Sequence, residues 1–146
     1  MPSVTMADAI LSCAIALIGI LLGIITLIPS IFVLLREVLR RSLKGVKPSV
    51  PDHPGYKTIA LIEQAYKSFK EALPQIKMAV VMLVVCSFSS IAWLLAVSHG
   101  ILFCTWVAFF LEGISLSSFI LGFAFIIRAF WIIYTQIISG VIEVEE

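Results

Sequence analysis

The chain has 146 residues, 61% of them hydrophobic, with a mean hydropathy of +1.13. Soluble domains run about 45–50% apolar, and small domains leave much of their surface outside any core, so lipid is the expected solvent for much of this chain. With a net charge of +1, nothing global points to nucleic acid or to acidic substrates.

The first apolar run covers 9–35, longer than the ~20 residues that cross a bilayer, so it spans with tilt or a bend. No Lys or Arg precedes it. A secretory signal has a basic n-region and a shorter apolar stretch, so a retained membrane helix is expected. Pro2, not a glycine, follows Met1, and no prenylation box is present. Pro29 removes the hydrogen bond to the Ile25 carbonyl, which predicts a kink. Along this run Ser12, Ala16, Gly19, Gly23, Thr26 and Ser30 recur at steps of four and three. Small residues at that spacing let two helices approach closely inside lipid. The seam serves either the chain's own helices or a partner, including a second copy.

Nine of the ten basic residues then fall between Arg36 and Lys77, beside four acids. Within 36–77, three prolines (Pro48, Pro51, Pro54) mark an extended loop. An amphipathic helix is predicted over 57–73, with a stripe at Ile59, Ile62, Tyr66, Phe69 and Leu73. On its other face Glu63, Lys67 and Glu71 are spaced for i,i+4 pairs. Pro74 should end or bend it. Such a helix suits a membrane surface or a soluble partner. Arg36, Arg40, Arg41, Lys44 and Lys47, with Arg128 further on, are candidate contacts to anionic lipid head groups; the loop basics serve equally as topology signals.

The second span is expected at 78–97, the third at 101–127 with a possible continuation to 139, and an acidic tail at 140–146. Short loops rich in Lys and Arg stay cytoplasmic. That places the N-terminus and the Ser98-His99-Gly100 turn outside and the C-terminus inside. Trp93 and Trp106, six and seven residues either side of His99, suit an outer aromatic belt, and Trp131 with Tyr134 an inner one. A competing registration extends the second helix to Phe110 and turns at Glu112-Gly113. Glu112 is thus an inter-helix contact, a proton or cation relay, or a turn residue; as an intramembrane acid it costs roughly 2.5–3.5 kcal/mol on insertion scales.

Catalytic chemistry is not expected. His53 and His99 lie on opposite sides of the membrane in this topology and cannot ligate one metal or haem. There is no phosphate loop, metalloprotease helix or nucleophile elbow. Cys13, Cys86 and Cys104 sit in apolar runs, too far apart for a disulfide framework or zinc site. No cofactor, metal or nucleic-acid partner is expected. The fold class is an all-α integral membrane protein: three transmembrane helices plus one amphipathic cytoplasmic helix. The expected function is that of a non-catalytic structural or accessory subunit in a larger membrane assembly. The alternatives are a self-associating small pore or a self-assembling, lipid-embedded coat or filament.

Overall fold

The computed structural model describes residues 4–44, 54–98 and 105–145, with side chains over 6–44, 55–98 and 106–139. All of the regular structure there is helical: α1 (Val4–Leu43), α2 (Pro54–Ser98) and α3 (Thr105–Glu145). Each contains a stretch long and apolar enough to cross a membrane: Met6–Leu43, Gly55–Ser98 and Trp106–Ser139.

These bounds differ from the sequence expectation in three places. Segment 57–73 is not a separate amphipathic helix but the first part of α2, which runs through Pro74 without a break. The third helix, described from Thr105, runs through the possible continuation to 139 and beyond it to Glu145; 101–104 lie outside the described residues. Glu112-Gly113 is helical, so the alternative turn does not form there. In α1 the helix likewise continues through Pro29 and ends in the basic segment with Arg40 and Arg41 in its last turn, where cations complement the helix dipole.

The chain divides into two compact units. The first comprises Met1–Leu22 and Gln75–Ile127. Its buried side chains are small or well-shaped: Ala14 and Leu21 on α1; Ile76, Ala79, Leu83, Cys86, Ser90 and Trp93 on α2; Ser115 and Ser118 on α3. A Cβ built on Gly122 would lie 3.1 Å from Leu83 Cγ and 3.5 Å from the Ala79 carbonyl oxygen. A larger residue there would make Leu83 give by a few tenths of an ångström, so the glycine suits the close approach of α2 and α3; in lipid such close contact supplies the dispersion energy that replaces the hydrophobic effect. Outward, Phe88, Phe109 and Phe110 stand about 70% exposed; in water this would be an aggregation hazard, whereas lipid solvates it.

The second unit comprises Gly23–Pro74 and Arg128–Glu146. Ser68, Phe69 and Ala72 of α2 and Ala129 of α3 are buried in it. Phe32 of α1 meets Tyr66 of α2 at 5.5 Å between ring centroids, within the favourable range for a tilted aromatic pair. Arg36 bridges to Glu63 at 3.1 Å, and the Gln136 amide donates to the Glu71 carboxylate. Polar side chains thus link α2 to both other helices. Glu63 and Glu71 are engaged there rather than by the expected i,i+4 partner Lys67.

Candidate functional site

Two features stand out from ordinary helix packing: the small-residue stripe on α1 and a polar cluster in the first unit.

The inward face of α1 recurs through Ala7, Ala14 and Leu21, with Ile10 and Leu17 between them. The small-residue stripe is offset from that face by two residues, about 200° around the helix at 3.6 residues per turn. Ser12, Ala16 and Gly19 are accordingly exposed in the first unit, as are Thr26 and Ser30 in the second; Gly23 is half-buried. No atom lies within 4 Å of a Cβ built on Gly19 or Gly23. Two hydroxyls of the stripe bond locally: Thr26 donates to the Gly23 carbonyl at 3.1 Å and Ser30 to the Thr26 carbonyl at 3.0 Å. Back-bonding of this kind removes the cost of facing lipid with a polar group. The close packing inside the first unit is instead carried by Ala79, Ser118 and Gly122. The Ser118/Gly122 pair has the small-xxx-small spacing visible in the sequence, while Gly113 and Ser117, at the same spacing, point outward.

The polar cluster lies where α2 and α3 meet. Ser90 Oγ is 2.6 Å from Ser115 Oγ, and Cys86 Sγ is 3.6 Å from the same oxygen. All three side chains are buried. Ser68, Ser87 and Ser89 each turn back onto a carbonyl of their own helix; Ser90 and Ser115 reach across to each other. Beside them is a cavity of about 30 Å³, lined by Ala7 and Ile10 of α1, Ser90 and Trp93 of α2, and Glu112 and Ser115 of α3. Glu112 is half-buried. Seven residues separate it from Thr105, the first described residue of α3, about 10 Å at 1.5 Å per residue. Sequence reasoning singled out Glu112 but missed its companions. The signal was available: Cys86, Ser90, Trp93 and Glu112, Ser115 share the phase of the buried positions on their helices.

The remaining candidates lie apart from this cluster. Arg36 and Arg41 are exposed and ion-paired, the latter to Glu37 at 2.9 Å. Arg40, Lys44 and Arg128 are exposed. Lys47, His53, His99 and Cys104 lie outside the described residues. Trp93, expected in an outer belt, is turned inward at 7% exposure, whereas Trp106 faces out at 86%. Trp131 and Tyr134 are both exposed on α3, 6.3 Å apart. Among the described residues no three His, Cys, Asp or Glu side chains are grouped to hold a metal ion. No family model, curated protein or solved structure matches the chain.

Proposed function

We infer that this protein is a non-catalytic, multi-pass membrane subunit that holds a larger assembly together through the α1 stripe. One observation carries the reading: a row of small residues with open space at both of its glycines, on the face of α1 opposite its own packing face. In lipid, helices associate by van der Waals contact, and small residues permit the closest approach. Among the described residues, no neighbouring side chain lies within 4 Å of a Cβ built on either glycine of the stripe. The lipid-facing phenylalanines support the same reading. Its orientation follows from the charge distribution: the basic 36–77 region and the C-terminus cytoplasmic, the N-terminus outside, with Arg36, Arg40, Arg41, Lys44, Lys47 and Arg128 against anionic head groups.

The test is native mass spectrometry of the full chain gently extracted from its own membrane, wild type beside Gly19→Leu/Gly23→Leu. The wild type should travel with unlike membrane chains and the double variant alone, while both keep the same helical content. A wild type that runs as a monomer, or a variant whose companions are unchanged, would remove the stripe from this role. A closed homo-oligomer would instead favour the self-associating pore.

A further inference from the structure

We propose that Ser42, in the last turn of α1, is a phosphate-acceptor site for a protein kinase, and that a phosphate there loosens the hold of the surrounding bases on anionic head groups. This site rests on the cytoplasmic placement of the 36–77 region and on its head-group contact, as proposed above.

Among the described serines and threonines, Ser42 is the one that is exposed and has bases within two residues on both sides: Arg40 and Arg41 precede it and Lys44 follows. Ser68 has a similar setting in the sequence, between Lys67 and Lys70, but it is 1% exposed and turned onto the Gln64 carbonyl at 2.9 Å. Thr58 has a base on one side only. Burial and charge together thus single out one hydroxyl.

Ser42 is also within reach of an enzyme. It is the next-to-last residue of α1, which ends at Leu43. Its hydroxyl donates to the Val38 carbonyl at 3.1 Å within an exposed turn, and past the helix the Lys44 amide bonds back to the Arg41 carbonyl at 3.3 Å. Terminal turns fray at little cost, so 40–44 can be drawn out into a kinase groove. Arg40 and Arg41 offer cations to an acid-lined groove, and Leu43 offers an apolar contact just after the acceptor. The transfer itself is a simple displacement. The Ser42 Oγ attacks the γ-phosphorus of a nucleoside triphosphate. The bond from that phosphorus to the β,γ-bridging oxygen breaks, the nucleoside diphosphate leaves with the electron pair, and the hydroxyl proton passes to the kinase's catalytic base.

The consequence is electrostatic. Residues 36–44 hold four bases and one acid, a formal charge of +3. Two of the bases are already engaged, Arg36 with Glu63 and Arg41 with Glu37. Arg40 and Lys44 are exposed and have no ion pair among the described residues, so they are the two free for head groups. Phosphoserine adds about −1.5 to −2 at pH 7 directly between them and brings the stretch to about +1. At the C-terminal end of a helix the dipole is itself negative, so the phosphate draws on Arg40 and Lys44 rather than on the helix. Bases beside a membrane span hold an anionic surface by charge alone, and phosphorylation cancels that charge.

The full chain is taken from its own membrane with phosphatases inhibited and incubated with Mg-ATP, and its peptides are read by mass spectrometry. One phosphoryl group is expected on Ser42 and none on Ser68; Ser42→Ala should carry none at either position. A bare Ser42 overturns the site. For the consequence, the full chain is made with phosphoserine installed at 42 during synthesis. It is placed in phosphatidylcholine vesicles beside the unmodified and Ser42→Ala chains, with spin-labelled phosphatidylserine or phosphatidylcholine as probe. The unmodified and Ser42→Ala chains should prefer phosphatidylserine, and the phosphorylated chain should lose that preference. An undiminished preference in the phosphorylated chain overturns the switch and leaves the head-group contact standing. No preference in any of the three chains removes both.

Discussion

Gly19 and Gly122 are the same residue type in the same small-residue spacing, yet they do different things. A methyl group on Gly122 would press against the Leu83 side chain and touch the Ala79 carbonyl, while one on Gly19 would meet no neighbour outside its own turn of helix. In detergent, Gly122→Leu should therefore destabilise the folded chain by about 1–3 kcal/mol, the usual range for overpacking. Gly19→Ala should leave stability unchanged or raise it by up to about 1 kcal/mol through helix propensity. Equilibrium unfolding in mixed micelles measures both; equal costs would mean that the two glycines are packed alike. The spacing in the sequence was enough to find both glycines but not to tell them apart. Which face of a helix turns inward is settled by what the other helices offer: Leu83 and Ala79 of α2 lie against Gly122, whereas no described side chain lies within 4 Å of a Cβ built on Gly19 or Gly23. For the same reason Glu112 was legible as an intramembrane acid, whereas its proximity to Ser90 and Ser115 depends on how three helices pack.

At the level of whole elements, α2 holds the clearest lesson. Proline lacks an amide hydrogen and clashes with the carbonyl four residues back, which makes Pro74 the natural end of a helix. Yet α2 passes through it. Its inward positions run Ile62, Ala65, Phe69, Ala72, Ile76, Ala79, Leu83, Cys86, Ser90 and Trp93, alternating steps of three and four on both sides of the proline. That unbroken 3.5-residue period is a stronger signal than the proline, because each turn on either side buries a side chain. The predicted stripe over 57–73 was in nearly the right phase, but Tyr66 and Leu73 were placed where Ala65 and Ala72 turn in. Hydrophobicity favoured the larger residues; close helix packing favoured the smaller. If α2 is one helix, Pro74→Ala restores the hydrogen bond to the Lys70 carbonyl and stabilises the chain, by at most the ~3 kcal/mol separating the two residues in a helix interior. Amide exchange at 71–78 should slow accordingly. Faster exchange there, or a loss of stability, would show that the proline-shaped geometry is itself needed for packing.

For the molecule as a whole, the number of long apolar helices follows from composition and breaker residues alone, because ~20 apolar residues leave no other solvent than lipid. We propose that their orientation follows from a different part of the sequence, the nine basic residues between Arg36 and Lys77, because a short connecting region rich in Lys and Arg stays cytoplasmic. This is open to direct test with single cysteines in a chain carrying Cys13→Ala and Cys104→Ala; Cys86 can stay, because it is fully buried. Right-side-out vesicles are treated with a membrane-impermeant maleimide. His99→Cys should label in intact vesicles, and Lys47→Cys only after they are opened. Gly113→Cys, exposed on α3 but eight residues beyond its start, or about 12 Å at 1.5 Å per residue, should resist both treatments. The reverse pattern at 47 and 99 would invert the topology and place the Glu112 cavity near the cytoplasmic face. Ready labelling at 113 in intact vesicles would show that water reaches α3 at the depth of Glu112, and that the helix there is not embedded in lipid. The same three positions therefore decide which membrane face the Glu112 cavity lies nearer, so the orientation proposed from the basic 36–77 region is tested together with the surroundings of the first unit.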